Sequence, residues 1–148
     1  MEKTFQTIAV MYIVIDPNIV ISALIKKGNS SIIFSLNSIL RKYNFITPNF
    51  LFLEIGNNTI KIMKKTHFSE EEIEKEANFI LNQITPILDE EYKNKEIEAR
   101  QMLKEHEKDV PYLALALAFN CKILSGDKVL KSIIPDKIIT PKELLDSF

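Results

Sequence analysis

The stretch Met11–Ile25, MYIVIDPNIVISALI, decides how the rest of the chain is read. Tyr12–Ile15 favours β structure and is apolar enough for a strand buried on both faces. The run stops at Asp16. Pro17 cannot donate to a sheet ladder and biases its predecessor toward extended geometry. Asn18 then reads as the N-cap of a helix from about Ile19 to Lys26. Asp16 is thereby placed at the C-terminal edge of a buried strand, where open α/β sheets put their ligand crevices. The plain alternative, a turn aspartate beside a capping asparagine, fits this segment equally well.

Working outward, strands and helices alternate. Ser30–Lys42 has helical apolar spacing, Phe45–Thr47 is a short strand, and Thr47-Pro48 has the form of a helix start. That helix carries Glu54 and is expected to continue toward Met63. Ser69 and Thr140, each with a glutamate three residues on, match capping boxes. The apolar stripe behind Ser69 extends to about Ile84, Pro86–Leu88 suits a short strand, and Glu91–Lys104 reads as a polar helix. Val110–Asn120 is apolar almost all round, as a buried helix should be. Lys122–Leu124 and Lys137–Ile139 are further strands, with a short helix between them after Asp127. Such alternation predicts βαβ units, a mostly parallel sheet and an α/β fold.

At 148 residues and 17.1 kDa the chain has the length of one domain, residues 1–148. Its hydrophobic share of 46% is that of a globular protein, and no apolar run reaches the length of a membrane span. No signal peptide is visible, so a cytoplasmic protein without a membrane partner is expected. The single Cys121 excludes an internal disulfide framework and suits a reducing compartment. With only His67 and His106 beside it, a structural zinc site is excluded in practice.

The net charge of −1 hides a segregation. Residues 70–107 hold 12 acidic and 5 basic residues, a balance of −7, and the remainder 8 acidic and 14 basic, a balance of +6. A polyanion facing the basic portion would explain this, as would a solvated acidic pair of helices. Candidate phosphate-gripping lysines are Lys128 and Lys131 directly after Asp127. Lys26 and Lys27 end one helix, and Lys61, Lys64 and Lys65 end another.

Four acids stand out by position. Asp16 and Asp127 end strands, Asp109 opens the buried helix, and Glu54 interrupts an apolar helical run. Asp109 and Asp127 would also serve as ordinary N-caps, and Glu54 as an ordinary solvent-facing residue. Parallel strands, however, deliver Asp16, Asp109 and Asp127 to one edge of the sheet. Like charges about 4 Å apart repel by roughly 4 kcal/mol at an effective dielectric near 20. A cluster therefore calls for a bridging cation or for protons. Oxygen donors alone select Mg²⁺ or Mn²⁺, and such sites act mostly on phosphates.

Taken together and in order, YIVIDPNIVISAL, the Glu54 helix, KDVPYLALALA, ILSGDKVL and the closing ITPKELL resemble the PIN-domain nucleases. Within that family the chain looks most like the VapC-like toxins of prokaryotic toxin–antitoxin pairs. The resemblance implies a three-layer α/β/α fold with a short, mostly parallel sheet, flanked by the helical pair of residues 69–104. It implies a metal-dependent endoribonuclease in which Asp16, Glu54, Asp109 and Asp127 bind one or two Mg²⁺ or Mn²⁺ ions. Asn18, Ser22 and Ser125 match the residues that shape the site. RNA is the implied substrate, with an antitoxin protein and a second copy of the chain as partners. Two departures are visible. Pro17 stands where a Thr or Ser is usual, and Val129 where many members carry a further Asp. Neither removes a principal ligand position.

Two rivals remain open. One is a PIN scaffold that binds RNA or protein without useful catalysis, for which Pro17 speaks. The other is a phosphatase or receiver-like protein using Asp16 as phospho-acceptor. Asn18, where a phosphatase of the haloacid dehalogenase type wants a second Asp, speaks against it. With only Gly28, Gly56 and Gly126 present, no Gly-rich phosphate loop exists.

Overall fold

The structure, a computed structural model, describes residues 10–57, 62, 64–66 and 68–148. Five strands form one sheet: β1 (Tyr12–Ile15), β2 (Asn44–Pro48), β3 (Ile84–Ile87), β4 (Lys122–Leu124) and β5 (Ile138–Ile139). Their order is β3-β2-β1-β4-β5, and every pairing is parallel. The segment that opens the reading is thus the middle strand, with Val14 paired to Ile46 on one side and Ile123 on the other. A parallel sheet needs both faces covered, which explains why this strand lacks an apolar–polar alternation; Val14 and Ile15 are 0% exposed.

Eight helices surround the sheet in the described residues: α1 (Pro17–Ile25), α2 (Asn29–Leu40), α3 (Leu51–Asn57), α4 (Glu70–Leu81), α5 (Glu96–Leu103), α6 (Val110–Ala118), α7 (Lys128–Ile133) and α8 (Pro141–Asp146). The all-round apolar α6 lies across β1, β2 and β4, and α5 covers it. Its residues Leu113–Ala116 are 0% exposed, as expected of a helix hidden between layers. Elsewhere α1 packs against α2, α3 and α4, and α2 against α8. The result is the expected three-layer α/β/α arrangement. The two helices of residues 69–104 flank the sheet with separate partners, α4 on α1 and α5 on α6, and β3 runs between them in the chain.

Several boundaries differ from expectation, each for a physical reason. Asp16, not Asn18, caps α1: its Oδ1 accepts from the Asn18 backbone N–H at 3.1 Å, and Pro17 takes the first helical position. Thr47 and Pro48 belong to β2 rather than to a helix start, paired with Pro86 and Ile87. The Thr47 hydroxyl donates to the Ile15 carbonyl at 3.3 Å instead of capping a helix. Helix α4 ends at Leu81, and Ile84 begins β3, whose edge position tolerates Pro86. The expected helix over residues 91–104 is shortened to α5, preceded by two 3₁₀ turns, Asp89–Glu91 and Lys93–Lys95. Of the two expected capping boxes, Thr140–Glu143 is reciprocal, whereas at Ser69 the hydroxyl caps α4 through the Glu72 N–H. The expected run of the Glu54 helix toward Met63, with Lys61, and the reading of His67 lie outside the described residues.

Candidate active site

The order β3-β2-β1-β4-β5 has its topological switch between β1 and β4, because successive strands run outward from β1 on one side and from β4 on the other. Crevices open at the C-terminal ends of strands at such a point. Asp16 follows β1, and Ser125 and Asp127 follow β4. The Asp16 N–H continues the ladder to the Leu124 carbonyl at 3.3 Å, which locks the two strand ends together.

Asp16 is 9% exposed and fixed from two sides. The Ser125 hydroxyl donates to its Oδ2 at 2.8 Å, and the Asn18 N–H to its Oδ1. Ser125 Oγ also accepts from the Asp127 N–H at 3.1 Å, tying the two aspartates through one buried oxygen. Burial raises the Asp16 carboxyl above the usual aspartate range, the hydrogen bonds from Ser125 and Asn18 oppose this, and the charge of Asp127 adds to it. Asp127 is exposed and caps α7, its Oδ1 accepting from Val129 and Leu130 N–H at 2.9 and 3.1 Å. Its capping role and its place beside Asp16 are compatible, since capping uses one oxygen.

The other two acids come from the flanking helices. Asp109 ends a 3₁₀ turn, Glu107–Asp109, and stands at the N-cap position of α6 as its alternative reading has it, but its side chain makes no cap hydrogen bond there. Burial raises its carboxyl first, then the charges of Asp16 and Asp127; His106 opposes, and Glu54 adds a smaller push. The Glu54 carboxyl is raised by burial, lowered by a hydrogen bond from Tyr112, raised by Asp16 and lowered by Lys108. Every one of the four acids therefore bears electrostatically on at least one other.

Proximity stops short of a closed cage. Among the described residues no group of three or more His, Cys, Asp or Glu side chains could hold a metal ion by itself. The donor set is nonetheless all oxygen, and one carboxylate is pre-oriented. These features fit a hard divalent ion that keeps several waters and takes few protein ligands, as Mg²⁺ does.

The remaining candidates divide by position. Ser125 is buried at the centre, Asn18 offers its backbone N–H there and is exposed, and Ser22 lies half-buried one turn further along α1. Lys128 is exposed beside Asp127. Lys131 is held by Glu143 at 3.1 Å and by the Ile138 carbonyl at 3.0 Å, joining α7 to α8. Lys26 and Lys27 lie at the far end of α1, roughly 14 Å from Asp16 at 1.5 Å of rise per residue. They edge a groove of about 830 Å³ shared by α1, α2 and α4. Lys64 and Lys65 are exposed. Two residues escape the sequence reading: Tyr112, which donates to Glu54 Oε1 at 3.4 Å, and Lys108, whose charge reaches Glu54. Spacing offered a signal for the first, because Asp109 and Tyr112 are three apart and share a helix face.

The chain is thus a parallel α/β/α domain with carboxylates gathered at its topological switch point. A family model described as a PIN domain matches residues 14–133, and the chain belongs to that family. PIN domains are generally nucleases and generally depend on divalent metal. Among solved structures, the chain is similar to a toxin–antitoxin complex from Klebsiella pneumoniae, with a TM-score of 0.61 at 15% identity, covering 87% of this chain and 97% of that one. It is also similar to PAE2754 from Pyrobaculum aerophilum, with a TM-score of 0.66 at 14% identity over 93% of this chain and 88% of that one. Likeness at this identity establishes the fold. None of the curated proteins matches the chain. No single helix among the described residues is long and apolar enough to cross a membrane.

Proposed function

We propose that the chain is an endoribonuclease dependent on Mg²⁺ or Mn²⁺ and acts in the cytoplasm as the toxin of a toxin–antitoxin pair, with an antitoxin protein and a second copy of itself as partners. The observation that carries this reading is the coupling of Asp16, Glu54, Asp109 and Asp127 at the switch point of the sheet. The toxin assignment draws on the family and on the likeness to the Klebsiella complex.

Asp16, Asp109 and Asp127 would hold the ion, and Glu54 a second ion or the attacking water. The bound ion would supply Lewis acidity, lowering the pKa of water and neutralising charge on phosphoryl oxygens. Ser125 and the Asn18 N–H keep Asp16 in one orientation, so little motion is needed when substrate arrives. Glu54, with its carboxyl raised by burial, is suited to accept a proton from water attacking the phosphorus in line. The expected products carry a 5′-phosphate and a 3′-hydroxyl. Lys128, exposed beside Asp127, is suited to meet a flanking phosphate, and the charge of Lys108 reaches Glu54.

The inactive-scaffold reading keeps one support in Pro17, the hydroxyl absent where a Thr or Ser is usual; the missing N–H adds nothing to it. At the first position of α1 its missing N–H has no intrahelical partner to lose, and the capping donor is that of Asn18. The test is incubation of the full chain with mixed RNA and Mn²⁺, against a chelator control and the Asp16→Asn variant. Cleavage that needs the ion and Asp16 is expected. Cleavage unaffected by both, or none with Mn²⁺ present, rejects the assignment.

A further inference from the structure

We propose that Tyr112 is the positioning residue for Glu54, fixing the direction of that carboxylate within the acid cluster; its catalytic consequence rests on the nuclease reading above, the contact itself does not. The Tyr112 hydroxyl donates to Glu54 Oε1 at 3.4 Å, and the ring is 5% exposed. Phe50 meets the ring edge-on, with centroids 5.8 Å apart and planes at 84°. The Phe50 carbonyl accepts from the Glu54 N–H at 3.2 Å, so the ring rests on the turn that carries Glu54. Tyr112 is therefore packed against Phe50 at its ring and directed at its hydroxyl, one turn into the helix that begins directly after Asp109.

The chemistry of the donor matters. Glu54 lies half-buried in the field of Asp16 and Asp109, and the Tyr112 hydroxyl is a donor of fixed position to one of its oxygens. Lysine or arginine in place of Tyr112 would hold it by forming an ion pair, and would compete with a bound cation for the same oxygens. A phenol holds one oxygen without supplying positive charge, which leaves the carboxylate's charge available to a cation or to a proton from water. Phenylalanine at 112 would keep the packing on Phe50 and lose only the direction.

The experiment compares the wild type, Tyr112→Phe, Glu54→Gln and the double variant, all as the full chain. Carbon NMR of glutamate-labelled, metal-free protein is expected to show the Glu54 carboxyl resonance displaced in Tyr112→Phe, with the melting temperature nearly unchanged. Calorimetry with Mn²⁺ is expected to show about tenfold weaker binding in Tyr112→Phe, the lower end of what loss of a ligand's hydrogen-bond partner costs. In the Glu54→Gln background the same change should add nothing. A Glu54 resonance left in place, whether or not the melting temperature falls, overturns the proposal. So does equal weakening of Mn²⁺ binding in both backgrounds. A wild type silent to Mn²⁺ rejects the metal-dependent reading instead, and the resonance still decides the role of Tyr112.

Discussion

Replacing Ser125 by alanine removes one oxygen that serves two neighbours. The hydroxyl donates to Asp16 at 2.8 Å and accepts from the Asp127 N–H at 3.1 Å, and the residue is buried beyond the reach of bulk water. A hydrogen bond to an ionised group contributes about 1.5–3 kcal/mol, and one between neutral groups about 1 kcal/mol. Near neutral pH the combined loss should be about 2–3 kcal/mol, because the Asp127 N–H is only partly buried and recovers some solvation. In a chain of this size that corresponds to a melting temperature lower by roughly 5–10 °C. The loss should also depend on pH, with a definite sign. Burial already raises the Asp16 carboxyl above its ordinary 3.8, and Ser125 is the largest of the causes opposing that rise. A carboxyl raised in the folded state contributes stability that is fully present below the unfolded value and is lost as pH rises through the folded value. Alanine removes the opposing cause and raises the folded value further, so the variant loses more than the wild type on going to neutral pH. Urea denaturation of chelated protein at about pH 4 and about pH 7 measures both differences, about 1 kcal/mol expected in acid and two to three times that at neutrality. A penalty equal at both pH values, or larger in acid, refutes the view that Ser125 favours an ionised Asp16.

Three further outcomes are expected. Asp127→Asn should abolish RNA cleavage with the metal-free melting temperature unchanged or higher, since asparagine caps as well as aspartate and brings no charge, whereas Asp127→Ala should lose about 1 kcal/mol of capping in denaturation. Lys128→Ala should flatten the salt dependence of RNA binding by about 0.7 in slope for one lost single-strand phosphate contact, as read by fluorescence anisotropy. Lys131→Ala should instead lower the melting temperature while moving that slope little, because Glu143 and the Ile138 carbonyl already hold the ammonium; Glu71→Gln with Glu74→Gln should do neither. Finally, burial raises the carboxyls of Asp16, Glu54 and Asp109, so chelated wild type should resist urea better at about pH 5 than at about pH 7. Added Mn²⁺ should remove that difference; persistence of it in saturating Mn²⁺ would place the ion elsewhere.

How much of this was legible depends on how far apart in the chain the deciding contacts lie. The ends of β1 and β4 are announced locally, by Asp16-Pro17 and by Ser125-Gly126-Asp127, each closing an apolar run, and both acids were readable there. The start of α1 was misplaced because Asp16 does two things at once, capping through one oxygen and binding Ser125 through the other. Thr47-Pro48 looks like a helix start, and only pairing with β3, dozens of residues later, extends the strand through it. Spacing places Tyr112 one turn from Asp109 but does not tell it from one more buried ring, because its hydroxyl partner lies 58 residues earlier. Lys131 reads as a free cation because Glu143, its partner, lies 12 residues on, across β5.

These cases share a cause that bears on the site itself. Each acid is placed by a local signal, a strand end or a helix start, but what each acid then does is set by a group brought from another part of the chain. Ser125 comes from β4's end to Asp16, and Tyr112 comes from α6 to Glu54. Burying carboxyls at a switch point opposes folding, desolvation first and mutual charge second, as the raised Asp16, Glu54 and Asp109 record. The apolar faces of β1 and α6 directly beneath, buried from Val14 and Ile15 through Leu113–Ala116, offset it. A mostly buried strand and a mostly buried helix therefore support the raised carboxyls. Removing a carboxylate charge should ease folding and disable the site together, while shortening Val14 or Leu113 should weaken both.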